Sequence, residues 1–288
     1  MEENKISVFK GIWLSFLTLL LAFVLTAFGS GAGELIVLPM LKSGSEMLAF
    51  AGEYAAFIGI WILTLLVCII GKKDRAMLRL LKPKKERIKT SLSFGLILGL
   101  GMNLLLAVLA LLNGDIVLYF SEFRPGIILL FIVCVFIQSS AEELVTRFFI
   151  YRRLQRYFPS CPLVAIITNA MFFSILHIFN PGITAVSLLS IFLDGLLYSM
   201  LVYYFDSFWG AAIAHTSWNF CQSILLGLPN SGTVSCYSVF RLDAAKATDS
   251  FFYHVDFGIE GTAAAVVACF IACISVFLLG RRRSASES

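Results

Sequence analysis

Two adjacent glutamates, Glu142 and Glu143, follow the almost wholly apolar residues 126–140, and Arg147 comes four positions after the second of them. A carboxylate in the hydrocarbon core of a membrane costs several kcal/mol, about 2.5 or more near the centre. A chain that keeps two of them side by side needs a reason. Either segment 138–147 is a structural ion-pair cluster or its carboxylates take part in chemistry.

The helical period separates the two glutamates. Glu143 and Arg147 are spaced i,i+4 with the acid first, so they share a helix face in the favourable orientation. Glu142 is turned about 100° away from that face. The spacing therefore predicts that Glu143 pairs with Arg147, whereas Glu142 remains free to act elsewhere.

Other polar residues occur on later apolar segments. Phe173 and His177 are one helical turn apart in FSILH, and His215 and Asn219 are one turn apart in HTSWN. A single membrane histidine is more often a hydrogen bond between helices than a catalyst. Two histidines on different segments, with an asparagine and a free carboxylate, favour a catalytic site. Asp194, in the middle of SIFLDGLLY, has no assigned role.

This set contains the groups needed to add water to an amide. Glu142 can serve as a general base and His177 as a second proton carrier. His215 and Asn219 can donate to a developing oxyanion, and such donors typically contribute about 3–4 kcal/mol each. A glycine-rich nucleophile elbow, an HExxH helix and a P-loop are absent from the sequence, which argues against the common serine hydrolase, zincin and nucleotide-binding classes.

The composition is that of a polytopic membrane protein. Of the 288 residues, 59% are hydrophobic and only 14% charged. We expect an all-α membrane helical bundle that forms a single integral domain, 1–288, in contact with the lipid bilayer. No basic arm with interleaved aromatics is present, so nucleic acid is not an expected partner. The seven cysteines form no disulfide framework.

Eight segments are long and apolar enough to be predicted as spanning helices. They are residues 9–28, 48–70, 91–112, 126–149, 163–179, 184–205, 208–226 and 262–280. With the N-terminus inside, 18 of the 22 lysines and arginines fall on the inner side. The positive-inside rule therefore predicts a multi-pass protein of the cell membrane with both termini cytoplasmic. Loop 227–261 would be outside, with no assigned role.

The three motifs resemble those of a known family. EExxxR at Glu142–Arg147, FxxxH at Phe173–His177 and HxxxN at His215–Asn219 occur in this order on successive predicted helices. In this the chain resembles the CPBP intramembrane proteases, the CAAX-protease and bacteriocin-processing family that includes the type II CAAX prenyl endopeptidases. The resemblance covers roughly residues 135–220, within a motif-bearing catalytic core predicted at 126–226.

The resemblance implies an intramembrane glutamic endopeptidase whose site opens toward the cytosol. Glu142 with His177 would activate water, and His215 with Asn219 would form the oxyanion hole. Glu143, Arg147 and Phe173 would support them, with no metal or other cofactor required. The substrate would be a membrane-associated peptide or protein, such as a prenylated C-terminus, a bacteriocin precursor or a peptide pheromone.

Three alternatives stay open. Glu142, His177 and His215 could be the ligands of a zinc-dependent intramembrane metalloprotease. Intramembrane glutamate and histidine also relay protons in transporters, although inverted repeats are not evident in the sequence. A non-catalytic immunity or scaffold protein is the third alternative, since motifs indicate capacity rather than use.

The depth of the three motifs raises one difficulty. Glu142 and His215 lie about 12–15 Å from the inner end of their helices, whereas His177 lies about 22 Å beyond Pro162 at 1.5 Å per residue. We therefore expect the fifth helix to begin in the cytosol and to end inside the bilayer at Asn180, Pro181 and Gly182.

Overall fold

The fold is a bundle of helices, seen in a computed structural model that describes residues 7–82 and 88–287, with side chains as far as 282. The predictions for residues 1–6, 83–87 and 288, which include both chain ends and part of the basic segment 71–90, lie outside the described residues. The helices are α1 (Val8–Ile36), α2 (Leu38–Leu41), α3 (Glu46–Ala55), α4 (Ile58–Ile70), α5 (Lys72–Arg75), α6 (Ile88–Asn113), α7 (Pro125–Glu143), α8 (Tyr151–Tyr157), α9 (Pro162–Leu176), α10 (Ala185–Phe205), α11 (Phe208–Phe220) and α12 (Ala263–Glu287).

Wider and tighter turns interrupt these helices. A first π-helical segment, Leu144–Ile150, joins α7 to α8, and a second, Cys221–Leu225, extends α11. Short 3₁₀ turns are found at Ala76–Leu81, Ala244–Lys246 and Ile259–Gly261. Strands β1 (Leu118–Phe120) and β2 (Phe240–Leu242) form an antiparallel pair in which Leu118 faces Leu242.

The prediction of a polytopic all-α membrane bundle is confirmed, but the count of eight spans is not. Within the described residues, six helical stretches are long and apolar enough to cross a membrane: Val8–Ile36, Glu46–Ile70, Ile88–Asn113, Pro125–Tyr157, Ala185–Phe205 and Ala263–Arg282. The other two predicted spans are helical as well. However, α9 has only 15 residues and α11 only 13 before its π-helical extension.

Helix α11 lies in the interior of the bundle, which explains how it can be both short and polar. It packs against α6, α7 and α10, and most of its residues are buried. Contact with α6 is made possible by Gly95 and Gly99, four residues apart. A methyl group on Gly99 would overlap the carbonyl of Ala214 and the hydroxyl of Ser217. Small residues at this spacing let two helix backbones approach closely in a membrane, and in this bundle they place α11 in the core.

The long connection after α11 folds back onto the bundle. β2 pairs with β1 at the end of α6, and the 3₁₀ turn Ile259–Gly261 contacts α10. Tyr253, Phe257 and Ile259 are fully buried, whereas Phe251 is 53% exposed. Loop 227–261 is therefore part of the packed structure rather than a solvated connection.

The two ends of the bundle differ in charge. At one end Asp74 accepts hydrogen bonds from Arg153 and Arg156, which ties the basic segment after α4 to α8. The opposite end carries loop 227–261 and, of the described basic residues, only Lys42, Arg124, Arg241 and Lys246. By the positive-inside rule, the basic end is predicted to be cytoplasmic.

Cysteine labelling tests this orientation. Cys161 is exposed at the basic end, and Val234, 62% exposed, lies in the loop at the other end. In a Cys236→Ser background, we expect Val234→Cys to react with a membrane-impermeant maleimide in intact cells. Cys161 should react only after permeabilisation, with Cys161→Ser as the control. The opposite pattern of labelling would place the loop in the cytosol.

Candidate functional site

The first motif forms a buried ion pair beside the start of the first π-helical segment. Arg147 Nη1 lies 3.0 Å from Glu143 Oε1, and both side chains have 0% exposure. The same nitrogen donates to Thr146 Oγ1 at 2.7 Å. The predicted i,i+4 pairing is confirmed. Because neither charge reaches solvent, each depends on the other for stabilisation.

Aromatic rings complete the surroundings of Arg147. Its guanidinium carbon lies 4.3 Å from the centre of the Phe173 ring and 5.4 Å from that of Tyr198. Cation–π contacts of this kind strengthen when water is excluded. The arginine of the first motif is thus held by the phenylalanine of the second motif, on α9, and by a tyrosine on α10.

His215 connects the two glutamates. Its Nδ1 lies 3.0 Å from Glu143 Oε1, and its Nε2 lies 3.7 Å from Glu142 Oε2. A carboxylate oxygen accepts hydrogen bonds, so Nδ1 carries a proton and the ring orientation is fixed. Tyr198 stacks on the imidazole at 5.6 Å between ring centres. Nε2 is left facing the same space as Glu142.

His177 lies just past the end of α9. Its Nδ1 is 2.8 Å from the carbonyl oxygen of Phe173. A carbonyl can only accept, so Nδ1 donates, and Nε2 of the neutral ring has a free lone pair. The ring contacts Phe173 edge-on at 4.8 Å between centres. His177 therefore has the form that can accept a proton.

Gln138 joins Glu142 to the third motif. Sequence analysis did not identify it as a site residue. It donates to Glu142 Oε1 at 2.6 Å and accepts from Asn219 Nδ2 at 3.2 Å. Asn219 also donates to Ser139 Oγ at 3.2 Å, and its Oδ1 accepts from Asn230 at 3.3 Å. The signal available was spacing alone, since Gln138 is four residues before Glu142 and so shares its helix face.

One pocket brings the predicted catalytic residues together. A cavity of about 370 Å³ is lined by Glu142, His177, His215 and Asn219, together with Gln138. Glu143 and Arg147 are not among its lining residues and lie sealed behind it. Phe173 contributes to the wall. Within the described residues, Glu142 Oε2 accepts no hydrogen bond, so it is available to a water molecule or substrate.

The pocket lies toward the end of the bundle that carries loop 227–261. Asn230, Ser231, Thr233 and Glu260 of this loop line it, as does Asn180 after α9. The fifth predicted span does end at the pocket, because α9 stops at Leu176 and the chain turns before α10. The sequence predicts a cytoplasmic basic end and a site that opens to the cytosol. These two expectations do not fit together, because the loop that lines the pocket lies at the opposite end of the bundle.

Asp194 and Glu260 also line the pocket. Sequence analysis gave Asp194 no role and did not identify Glu260. Asp194 is 8% exposed on α10 and accepts from the Cys269 thiol at 3.1 Å. Glu260, 5% exposed, accepts from the backbone N–H of Ser231. Burial raises the pKa of Glu260 from its usual 4.5 to about 7. Only the folded loop brings Glu260 to the site, and local spacing carries no signal for that.

The described residues do not assemble a metal site. No three histidine, cysteine, aspartate or glutamate side chains in that part of the chain are placed to hold a metal ion. Glu143 already engages Nδ1 of His215, and Nδ1 of His177 bonds to the carbonyl of Phe173. In both histidines this leaves Nε2 as the ring nitrogen that could reach a metal ion.

Fold and site together define a class: a polytopic membrane protein with a glutamate- and histidine-lined pocket within its helices. Residues 124–221 match the family model described as type II CAAX prenyl endopeptidase Rce1-like. The matched segment includes all three motifs, so the family resemblance recognised from them is confirmed. No curated protein and no solved structure gives a match.

Removal of Arg147 tests the buried ion pair. Arg147→Met removes the arginine cation from Glu143 at a site with 0% exposure and leaves His215 Nδ1 as its partner, which should cost about 3–5 kcal/mol. Arg152→Met is the matched control, because Arg152 pairs with the 34% exposed Asp206, and a surface pair is worth about 1 kcal/mol or less. Thermal unfolding in detergent should give a far lower midpoint for Arg147→Met. Equal midpoints would contradict the structural role of the pair.

The titration of Glu260 makes stability depend on pH. Its folded-state pKa is raised from 4.5 to about 7, so the protonated group adds roughly 3 kcal/mol to the free energy of unfolding. This contribution is complete below pH 4.5 and is lost as pH rises through 7. Glu260→Gln should flatten this part of the curve of unfolding midpoint against pH. The charges of Asp194 and His215 also affect the pKa of Glu260. The control is Glu34→Gln, which makes the same substitution at an exposed position and leaves these two residues in place. Parallel curves for the two variants would contradict the assignment.

Proposed function

We propose that the protein is an intramembrane endopeptidase in which Glu142 and His177 activate water to hydrolyse a peptide bond. The observation that carries this proposal is the separation of the two glutamates. Glu142 lines the cavity with His177, His215 and Asn219, while Glu143 is sealed behind it with Arg147. The Rce1-like match over residues 124–221 supports protease activity in general.

The proposed step begins with a water molecule between Glu142 and His177. Glu142 Oε1 is held by Gln138, which leaves Oε2 to accept a proton from the water. The resulting hydroxide attacks the carbonyl carbon of the scissile amide. The tetrahedral intermediate then collapses: its C–N bond breaks as the proton is delivered to the leaving nitrogen, with His177 Nε2 as the second carrier, and the products are a carboxylic acid and an amine.

The negative charge on the carbonyl oxygen would be stabilised by His215 and Asn219. His215 donates from Nε2 when its ring carries a second proton, which the two facing carboxylates favour. Asn219 would exchange its present bonds to Gln138 and Ser139 for the oxyanion. The second glutamate and the arginine hold these donors in place and do not touch the substrate, whereas Phe173 forms part of the pocket wall.

The proposed substrate is a membrane-associated or membrane-embedded peptide: a prenylated C-terminus, a bacteriocin precursor or a peptide pheromone. Cleavage near the cytosolic face, which the sequence led us to expect, is not part of this proposal. The pocket is lined by loop 227–261, and the charge pattern predicts that this loop is extracytoplasmic. We propose that substrates reach the bond-cleaving groups from that end.

Peptide cleavage by the purified protein tests the mechanism. Glu142→Gln should lower kcat by at least 10²–10⁴-fold, because general-base catalysis is lost. Asn219→Ala, which removes an oxyanion donor, should cost about 10²–10³-fold. Glu34→Gln is the matched control and should keep full activity. Membrane-anchored peptides with a fluorescent reporter provide the measurement.

Repeating the cleavage assay with a zinc chelator distinguishes the glutamate mechanism from the zinc-dependent alternative. Activity that survives a zinc chelator in the wild type but is lost in Glu142→Gln supports the glutamate mechanism. Activity lost with chelator and restored by zinc would make Glu142, His177 and His215 metal ligands. Full activity of Glu142→Gln would contradict both assignments.

A further inference from the structure

The pocket contains more carboxyl groups than the proposed hydrolysis requires. Besides Glu142, three carboxylates line it: Glu53, Asp194 and Glu260. Among the described residues that line it there is no lysine or arginine. In the described part of the chain none of these three forms a salt bridge. Two of them, Asp194 and Glu260, are more than nine-tenths buried.

Asp194 flanks the histidine side of the site. It lies one helical turn before Tyr198, whose ring stacks on His215 at 5.6 Å between centres. Asp194 accepts a hydrogen bond from the Cys269 thiol at 3.1 Å, and a thiol is a weak donor. A buried carboxylate with so weak a partner needs a stronger one, because isolated buried charge is costly.

Glu260 flanks the asparagine side of the site. It accepts a hydrogen bond from the backbone N–H of Ser231, and the preceding residue, Asn230, donates to Asn219 at 3.3 Å. Burial raises the pKa of Glu260 to about 7, and the pocket wall supplies no lysine or arginine to reverse this. The two carboxylates are therefore close to the residues proposed to bind the oxyanion.

Trp218 provides an independent indication of a ligand. Its side chain lines the pocket and is only 3% exposed, yet its indole N–H has no acceptor in the described residues. A buried indole N–H usually finds a partner. An acceptor such as a backbone carbonyl would satisfy it.

We infer that the pocket binds peptides with a lysine or arginine side chain next to the scissile bond, its cation lying between Asp194 and Glu260 while Trp218 donates to a peptide carbonyl. This rests on the proposed function in that the ligand is taken to be the substrate. A bound cation would compensate both buried charges. An isoprenoid or other apolar chain in the same place would leave both carboxylates desolvated and unpaired.

Binding to an inactive protein tests this without any turnover. Full-length Glu142→Gln in detergent is titrated with a fluorescent twelve-residue apolar peptide with central lysine, and with its norleucine and glutamate counterparts. The lysine peptide should bind at least tenfold more tightly than the norleucine peptide, and the glutamate peptide most weakly. Equal Kd values for lysine and norleucine would overturn the inference, and this comparison needs no further substitution.

Variants locate the selectivity. Asp194→Asn and Glu260→Gln, each added to Glu142→Gln, should reduce the lysine-to-norleucine ratio to about threefold or less. Glu34→Gln, the matched exposed control, should keep the full ratio. A ratio unchanged in both pocket variants would place the selectivity elsewhere and overturn the assignment.

Cleavage by the wild type separates this inference from the proposed function. Charge-selective binding without cleavage of any bound peptide contradicts the proposed hydrolysis and leaves the cation subsite standing. Cleavage with equal kcat/KM for lysine and norleucine peptides supports the hydrolysis and overturns the subsite.

Discussion

The buried pair of Glu143 and Arg147 is the interaction on which the site depends. It lies where neither charge reaches water, so each group must be neutralised within the bundle. The same two side chains hold the other motifs: Glu143 fixes the tautomer of His215, and Arg147 lies against Phe173 and Tyr198. Five helical elements thus meet at one ion pair: α7, the first π-helical segment, α9, α10 and α11. An arrangement this closely coupled gives the groups proposed for catalysis a defined geometry before any substrate arrives.

Helix periodicity explains what could be predicted from the sequence. The i,i+4 spacings of Glu143 with Arg147 and of Phe173 with His177 correspond to direct contacts in the structure. Composition alone was enough to predict a helical membrane bundle. These inferences succeeded because each depends only on residues one turn apart or on average apolarity.

What the sequence could not provide depends on distant contacts. Asn230 and Glu260 reach the pocket because loop 227–261 folds back, with Tyr253 and Phe257 buried beneath it. The two π-helical segments were also not predicted, because one extra residue in a helical turn does not change the amino-acid composition in a recognisable way. The count of eight spans is not confirmed for a related reason: α11 owes its position to contacts with α6, and apolarity alone does not reveal them.

The shortness of α9 has a consequence for the lipid around it. Fifteen residues rise about 22 Å, whereas the hydrocarbon core of a typical bilayer is about 30 Å thick. Such a mismatch is relieved by local thinning of the bilayer or by head groups and water that follow the helix end inward. His177 lies at that end, so the aqueous boundary is drawn toward the histidine. The proposed peptide cleavage should then vary with acyl chain length, because thicker bilayers resist this deformation more strongly.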